Sequence, residues 1–279
     1  MTNIDNIHFW NINNLDYIDI YSTLTSWANT PGLGIIKREI LKHFGTFEGL
    51  RFVELGAGIG KMSIFMDILG GQTTLIDFNE TVIRTAREIQ AFFRCKPEIL
   101  MENALALPAS LCGQYDVVMS FGLAEHFLGE ERIAIFHSHH YLAKKHGMVV
   151  ICVPNTLGIC YRLSHGIRKV LGKWPKGLPE VPFTRKELKN IASKVGLMDI
   201  RISGGNRFLR DIDYFLIENI KQAIRRYIFR EKGAESRVSI EDHPREKLRE
   251  IILRNDASPG FLDNYLSYPL VLIACKPHC

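Results

Sequence analysis

The chain has 279 residues, of which 46% are hydrophobic, and carries a formal net charge of +5 at pH 7. This length and composition support a full core in one large α/β domain or in two small ones. The mild charge does not by itself indicate nucleic-acid binding, and no run of about 18 apolar residues predicts a membrane span. The first five residues lack the basic and then apolar pattern of a signal peptide, so none is expected.

Cysteine and histidine spacing argues against a metal site. None of the six cysteines stands at C-x-x-C spacing, and Cys152 and Cys275 lie in apolar, strand-like runs typical of reduced core thiols. His137 and His140 are one helical turn apart, but no carboxylate or cysteine completes a ligand set. The sequence therefore predicts no metal and a reducing, cytoplasmic location.

The segment before the first strand predicts helical structure. Residues 1–50 are rich in aromatic and polar side chains, and Thr30-Pro31-Gly32 predicts a break in the chain. Residues 35–44 then have the apolar spacing of an amphipathic helix. The aromatic side chains are interpreted as packing against the sheet that follows.

A strand, a glycine turn and a helix come next. Residues 51–55 form a short apolar run that predicts a buried strand, and residues 62–69 predict a helix. Between them Gly56, Gly58 and Gly60 stand at alternate positions, where a Cβ atom would block the close approach of a ligand. This order is the first unit of a nucleotide-binding α/β sheet.

The glycine spacing separates two classes of cofactor. The dinucleotide pattern G-x-G-x-x-G would need glycine where Lys61 stands. The pattern here is G-x-G-x-G preceded by an acid, which resembles motif I of the class I S-adenosylmethionine (SAM) methyltransferases. The resemblance implies cofactor contacts from the residues of this turn: Glu54, Gly56, Ala57, Gly58 and Gly60. A tight turn that binds no ligand is the alternative.

The second predicted strand ends in candidate cofactor residues. Residues 72–76 lead to Asp77, and an acid about 20 residues beyond a glycine turn is placed to bind a ribose diol. The resemblance adds an adenine contact for Phe78, while Asn79 is expected to cap a helix over residues 80–93. In the alternative interpretation all three residues serve only that helix start.

The third predicted strand, residues 97–101, leads into Glu102-Asn103-Ala104. This turn resembles the family's G-D-A-x-x-L-P segment, in which the acid receives the adenine amino group. Asn103 stands in the place of the acid and Glu102 in the place of the glycine. The resemblance therefore implies an adenine contact from Asn103, whose amide oxygen can accept that bond, or from its neighbours Glu102 and Ala104.

The fourth predicted strand ends in the second strong motif. The stretch from Ser120 to His126 resembles the family's D-V-V-x-S-x-x-x-x-E-H segment at the edge of the cofactor pocket. The resemblance implies cofactor contacts from Ser120, Phe121 and Gly122. Histidine has an ordinary pKa of about 6.5, which suits a general base, so His126 is the candidate base and Glu125 is the candidate to orient it. The alternative is that Glu125 and His126 only cap and pack the next helix.

The order of the elements predicts the fold class. Predicted strands over 115–120, 147–153, 197–203 and 268–276 complete a set of seven, with helices over 130–145 and 185–195 between them. Strands that alternate with helices predict a doubly wound, mostly parallel α/β sheet with helices on both faces. The resemblance to methyltransferases implies an antiparallel last strand, with strands six and seven paired at one edge.

We interpret the chain as a single methyltransferase domain over residues 1–279. Its predicted parts are an N-terminal helical cap (1–50), a SAM-binding core (51–155), a basic lid (156–186), two segments that end the core (187–203 and 267–279) and a second insertion (204–266) with a helix over 211–230. The resemblance implies that the cap covers the cofactor.

The basic lid, residues 156–186, has seven lysines and arginines against one acid, Glu180, so its charge alone exceeds that of the whole chain. Apolar positions are interleaved with the basic ones. A basic amphipathic segment of this kind favours an anionic acceptor or an anionic membrane surface. A solvated helix face with an ordinary buried stripe is the alternative.

The resemblance implies SAM-dependent methyl transfer to a small-molecule oxygen, nitrogen or carbon nucleophile. The segment from Ser120 to Phe127 is also similar to part of the fatty-acid cyclopropane synthases, so methyl or methylene transfer to a lipid or polyprenyl acceptor is the first alternative. An NAD(P)-dependent oxidoreductase and a SAM-binding protein without catalysis stay open. No nucleic-acid partner is expected, because the N-P-P-[YF] signature of DNA amino-group methylation is absent after the fourth strand. The oligomeric state is not predicted.

Reversal of three lid charges tests the role of the lid. The triple variant Arg168→Glu, Lys169→Glu, Lys173→Glu should raise the KM for the acceptor or weaken binding to anionic vesicles, because each basic residue near an anionic surface contributes about 1 kcal/mol. SAM affinity, measured by calorimetry in parallel, should not change, because the cofactor residues lie at the predicted strand ends. Unchanged acceptor kinetics together with unchanged vesicle binding would mean that the basic stretch is a solvated face.

Overall fold

The structure is a computed structural model that describes residues 17–159, 161–163, 166, 180–206 and 243–277. Most of the basic lid and the predicted helix over residues 211–230 lie outside these ranges. Within them the chain forms a seven-stranded sheet with helices packed against both faces.

Two helices precede the sheet, α1 (Tyr17–Ala28) and α2 (Pro31–Phe44). The predicted break falls between them, but α2 begins four residues earlier than the predicted helix. Thr30 is its N-cap, and the hydroxyl accepts a hydrogen bond from the N–H of Leu33. Pro31 fits the first turn because no intrahelical partner exists there for an N–H. The Thr-Pro pair therefore separates two helices and also starts the second one.

Strands and helices then alternate. The strands are β1 (Arg51–Leu55), β2 (Gln72–Asp77), β3 (Glu98–Met101), β4 (Tyr115–Phe121), β5 (Ala143–Pro154), β6 (Met198–Gly204) and β7 (Pro269–Cys275). The helices are α3 (Lys61–Ile68), α4 (Glu80–Phe92), α5 (Gly129–Leu142), α6 (Arg185–Lys194), α7 (Pro244–Arg254) and α8 (Phe261–Leu266), with 3₁₀ turns at Ala109–Leu111 and Ala124–His126. The predicted end of α5 at residue 145 was wrong, because Ala143 already pairs with Tyr115 and begins β5.

The strand order is β3-β2-β1-β4-β5-β7-β6. Strand β7 is antiparallel to both of its neighbours, and the other pairs are parallel. This order confirms the doubly wound fold and the pairing of the last two strands at one edge. The order reverses between β1 and β4, and doubly wound sheets bind their ligands in the crevice at the carboxyl ends of the strands where this happens.

Both faces of the central strands are buried, as parallel strands covered by helices require. Alternate residues point to opposite faces. Phe52 and Val117 therefore join an apolar core with α1 to α4 and α7, whereas Val53 and Val118 join a second core with α5 and α6. The continuous apolar runs of the sequence are thus strands that are buried on both sides.

Helix α7 and the residues after it hold the N-terminal helices in place. The side-chain amide of Asn255 donates to the carbonyl oxygens of Ala28 and Thr30, both at 2.8 Å. The buried ammonium of Lys37 on α2 donates to the carbonyl oxygen of Ile252 at 3.0 Å. This described part of the segment interpreted as an insertion is therefore packed into the domain.

A buried histidine fastens α5 to β4. Nδ1 of His139 lies 2.7 Å from the carbonyl oxygen of Ile135, which only accepts, so Nδ1 carries the proton. Nε2 then accepts from the hydroxyl of Ser120 at 2.8 Å. Burial lowers the pKa of His139 to about 4, so the ring is neutral at pH 7. Both ring nitrogens are used internally, and the described residues contain no group of three His, Cys, Asp or Glu that could hold a metal ion.

Replacement of His139 should make the free energy of unfolding depend less on pH below neutrality. His139 takes up a proton at about pH 6.5 in the unfolded chain but only at about pH 4 in the folded chain, so it lowers stability as the pH falls through this window. Between pH 7.5 and 5.5, urea denaturation should show the parent losing about 1 kcal/mol more than His139→Gln. The exposed His137 on the same helix supplies the control, His137→Gln, which should behave as the parent. Equal losses in the parent and in His139→Gln would contradict this assignment.

Candidate functional site

The glycine turn between β1 and α3 forms a backbone cradle. Gly56, Gly58 and Gly60 have φ angles of +61°, +56° and +71°, a region that residues with a Cβ atom disfavour. A Cβ atom on Gly56 would lie 2.5 Å from Cδ1 of Leu123, whereas a Cβ atom on Gly58 would meet nothing within 4 Å. Gly56 therefore allows the turn after β4 to pack closely, and Gly58 borders open space.

Glu54 fastens the base of this turn. Its side chain is buried, and Oε2 accepts from the backbone N–H and the hydroxyl of Ser63 at 2.9 and 2.7 Å. Burial raises the pKa of Glu54 to about 7, because lost hydration outweighs these hydrogen bonds. Glu54 thus ties the end of β1 to the first turn of α3, and its direct contact with a cofactor stays a prediction.

Asp77 connects the end of β2 to the glycine turn. Its Oδ2 accepts from the N–H of Gly58 at 2.9 Å, and its Oδ1 accepts from the N–H of Asn79 at 3.0 Å. The cap of α4 is Asn79, whose Oδ1 accepts from the N–H groups of Thr81 and Val82. Burial raises the pKa of Asp77 against the effect of its own hydrogen bonds. Each oxygen of the Asp77 carboxylate retains a second acceptor position for a ligand.

The residues predicted to contact adenine lie at the ends of β2 and β3. Phe78 is 60% exposed directly after Asp77. The N–H of Glu102 donates to the carbonyl oxygen of Asp77 at 3.2 Å, which holds the two strand ends together. Asn103 is exposed, but its Oδ1 already accepts from the N–H of Leu105 at 2.9 Å. The carbonyl oxygen of Ala104 accepts from Ser138 on α5.

The predicted cofactor residues at the end of β4 differ in accessibility. Ser120 is fully buried and its hydroxyl is bound to His139. Phe121 is half-buried, and Gly122 is exposed with a φ angle of +80°. A contact from Ser120 to a cofactor would therefore run through its backbone.

Glu125 carries a buried carboxyl group. The residue is 3% exposed, and its Oε2 has no hydrogen-bond partner among the described residues. Burial, with a smaller contribution from the Glu180 carboxylate, raises the pKa of Glu125 to about 8. This oxygen therefore does not orient His126, which lies half-buried in the same 3₁₀ turn. The catalytic roles of Glu125 and His126 stay predictions.

Three residues that the sequence analysis did not place in the site lie beside Glu125. The hydroxyl of Tyr161 donates to Oε1 of Glu180 at 2.7 Å, and the rings of Tyr161 and Tyr268 stack with centroids 5.1 Å apart. The N–H of Val181 donates to the carbonyl oxygen of Glu125 at 2.9 Å. In the sequence, the feature that could have pointed to this cluster is Glu180, the single acid of the basic lid.

The residues of the glycine turn, Asp77 and the turn after β4 thus meet at one edge of the sheet. A sequence profile described as a methyltransferase domain matches residues 29–202, which include all of them and more than half of the chain. The chain belongs to the methyltransferase domain family. The seven-stranded fold agrees with this assignment.

Individual proteins that resemble this chain share less than a third of its residues in the aligned regions. The ubiquinone biosynthesis O-methyltransferase of Azotobacter vinelandii is 28% identical over 130 residues, which cover 46% of this chain. This match spans 55% of the length of that relative. The magnesium protoporphyrin IX methyltransferase of Synechocystis PCC 6803 has a TM-score of 0.53 at 14% identity, over 96% of this chain and 91% of that one. A phosphoethanolamine N-methyltransferase of Haemonchus contortus has a TM-score of 0.55 at 17% identity, over 99% and 62%. At these identities the two solved structures show a shared fold.

The residues of the site fit SAM. A cofactor would find open space beside the backbone of Gly58, acceptor positions for a ribose diol on the carboxylate of Asp77 and an exposed aromatic ring for adenine at Phe78. These three groups lie at the ends of neighbouring strands.

Replacement of Asp77 separates ligand binding from helix capping. Asp77→Ala should lower SAM affinity about tenfold or more, because a hydrogen bond to a charged group contributes roughly 1.5–3 kcal/mol. The matched control is Asn79→Ala, which removes the cap of α4. It should lower the free energy of unfolding by about 1 kcal/mol and leave SAM affinity nearly unchanged. Calorimetry and urea denaturation measure the two effects, and parent-like SAM binding by Asp77→Ala would exclude the ribose role.

Proposed function

We propose that the protein transfers a methyl group from SAM to a small-molecule acceptor. The observation that carries this proposal is the hydrogen bond from Gly58 to Asp77, which joins an open glycine turn to an acid at the next strand end. SAM, when bound, supplies the electrophilic methyl group. The family match over the same residues supports the proposal.

The protein contributes mainly by positioning. Holding two reactants in line can supply about 7–11 kcal/mol of a barrier. The glycine turn and the turn after β4 are in contact through Gly56 and Leu123, which supports a donor on the first turn next to an acceptor at the second. His126 and Glu125 lie in the second turn and are the candidates to receive a proton from the acceptor.

Exposed apolar side chains at the end of β5 favour an acceptor with an apolar part. Leu157, Ile159 and Leu163 are 54%, 45% and 56% exposed and flank Tyr161. A lipid or polyprenyl acceptor remains the second candidate for this reason. No helix in the described ranges is long and apolar enough to cross a bilayer. The cytoplasmic location and the domain boundaries predicted from the sequence stay proposals.

Local structure at Lys61 argues against a dinucleotide cofactor. Lys61 occupies the first position of α3, where the dinucleotide pattern requires glycine, and its ammonium lies over the ring of Trp27 at 5.3 Å. Burial lowers the pKa of Lys61. The dinucleotide pattern uses a third glycine here for close packing of helix on strand, and this chain has a lysine that contacts α1 instead.

The proposed function predicts a definite binding profile. SAM and S-adenosylhomocysteine should bind with micromolar affinity, about −8 kcal/mol, and NAD(P)H should not bind. Calorimetry with all three ligands measures this. Absence of heat and of thermal stabilisation with both SAM and its product would contradict the proposal, and binding of NAD(P)H alone would favour the oxidoreductase.

Catalysis is tested separately from binding. A metabolite or lipid extract incubated with the protein and SAM should contain a species that gains about 14 mass units, the value of one methylene. Asp77→Ala at the same SAM concentration is the matched control. SAM binding without any such species in either extract would favour a SAM-binding protein without catalysis.

A further inference from the structure

We propose that Glu125, Glu180, Tyr161 and Tyr268 form the acceptor site and that the acceptor presents a basic amine there. This acid-tyrosine cluster lies beside the donor site and is not used by it. The inference rests on the proposed function and adds the chemical class of its substrate.

The topology puts the cluster at the ligand-binding edge. Glu125 follows β4, and Tyr161 follows β5 after a short connection. Tyr268 precedes β7, whose first residue, Pro269, pairs with Pro154 at the carboxyl end of β5. All three residues therefore belong to the edge of the sheet that carries the glycine turn.

Hydrogen bonds fix Glu180 beside Glu125. The N–H of Val181 donates to the carbonyl oxygen of Glu125 at 2.9 Å. The guanidinium of Arg132 on α5 donates to the carbonyl oxygen of Val181 at 2.7 Å. The N–H of Phe183 donates to the carbonyl oxygen of Pro154 at 2.9 Å, which attaches the segment to the end of β5. The position of Glu180 is therefore set by both neighbouring strand ends.

The two acids have no cation of their own within the described ranges. The charge of Arg132 partly opposes the rise in the pKa of Glu125, but its guanidinium is bound to Glu187 at 2.7 Å and lies over the ring of Phe183 at 4.0 Å. No described lysine or arginine forms an ion pair with Glu125 or Glu180. The buried Oε2 of Glu125 has no partner in this part of the chain. A desolvated carboxyl group without a partner is costly, so a ligand that donates to it is favoured.

The electrostatics of the cluster favour a cation over an anion. Burial, together with the charge of Glu180, raises the pKa of Glu125 to about 8. Burial and the charges of Glu125 and Glu180 raise the pKa of Tyr268 well above its ordinary value. Burial and the hydrogen bond to Glu180 likewise raise the pKa of Tyr161, and burial with the charge of Glu125 raises the pKa of Cys152 to about 12. An ammonium group would stabilise the carboxylates and contact the tyrosine rings, whereas an anion would be repelled.

The carboxylate of Glu125 can take up the proton that an ammonium must lose before its nitrogen is methylated. The ammonium gives one proton to the carboxylate of Glu125, and its nitrogen lone pair then forms the new N–C bond. The S–C bond breaks at the same time and its electron pair stays on sulfur, so the positive charge passes from the sulfonium to the methylated nitrogen. The proton on Glu125 leaves to solvent in the next cycle.

This inference revises the expectation of an anionic acceptor. That expectation used basic lid residues that mostly lie outside the described ranges. The described part of the acceptor side contributes two acids, and the exposed Leu157 and Ile159 stand next to it. We therefore expect an apolar or amphipathic molecule with an amine at its reactive end.

A matched set of three probes tests the charge preference. Hexylamine, 1-hexanol and hexanoate share one chain and differ in charge, and each is titrated into the protein saturated with S-adenosylhomocysteine at pH 7. Hexylamine should bind at least tenfold more tightly than the other two. Binding of hexylamine should release close to one proton, which calorimetry in buffers of different ionisation heat measures. Before binding, the Glu125 carboxyl group is mostly protonated at pH 7 and the amine is an ammonium, whereas the bound pair of carboxylate and ammonium holds one proton fewer.

Two conservative variants and one control assign the effect to the cluster. Glu125→Gln should weaken hexylamine binding about tenfold and abolish the proton release. Glu180→Gln keeps an acceptor for Tyr161 and should weaken hexylamine binding several-fold. Glu130→Gln, an exposed acid at the start of α5, changes the net charge equally and should have no effect.

The outcomes separate this inference from the proposed function. Three results would overturn the amine site in a protein that binds S-adenosylhomocysteine: equal affinity for the three probes, tighter binding of hexanoate, or no binding of hexylamine. Each of them would leave the methyltransferase proposal standing. Proton release that persists in a folded Glu125→Gln would also overturn it. Failure to bind S-adenosylhomocysteine would contradict the proposed function itself.

Discussion

The hydrogen bond from the N–H of Gly58 to the carboxylate of Asp77 is the interaction on which the proposed donor site depends. It joins the loop after β1 to the end of β2, so that two segments about 20 residues apart become one surface. The glycine turn supplies backbone groups because it has no side chains at Gly56 and Gly58, and Asp77 supplies the acceptors. Packing of Leu123 against Gly56 then brings the turn after β4 to the same place. The proposed donor and acceptor sites are adjacent because parallel strands end at one edge of the sheet.

Burial sets the protonation state of the acids and of the histidine in this part of the fold. Loss of hydration disfavours the charged form of any group, which raises the pKa of Glu54 and Glu125 and lowers the pKa of His139. The groups differ in what compensates them. Glu54 receives two hydrogen bonds from Ser63 and His139 is satisfied at both nitrogens, so each holds two elements together, and the cofactor contact of Glu54 stays a prediction. One oxygen of Glu125 has no described partner, which distinguishes a group available to a ligand from groups that hold elements together.

Local patterns predicted the strands well and the helix ends less well. The apolar runs placed all seven strands. Strands β1, β4 and β7 are buried on both faces and have the apolar composition that this requires, whereas the edge strands β3 and β6 are more exposed. The start of α2 and the end of α5 were missed by a few residues. At the first, Thr30 supplies a cap and Pro31 suits a first turn. At the second, Ala143 is drawn into pairing with β4 by a partner that is distant in the chain.

The sequence by itself predicted the strands of the sheet from their apolar runs. It also predicted the glycine turn, the position of Asp77 and the turn that carries Glu125, because each of these is a contiguous motif at a strand end. Only the tertiary structure decided how these groups are used. It showed that Asp77 binds the glycine turn through the N–H of Gly58, while Asn79 caps α4 as predicted. It also put Glu180, Tyr161 and Tyr268 beside Glu125. Tyr268 is more than a hundred residues from Tyr161 in the chain, and the two meet because antiparallel β7 pairs with β5. Such long-range pairing leaves no local pattern in the sequence.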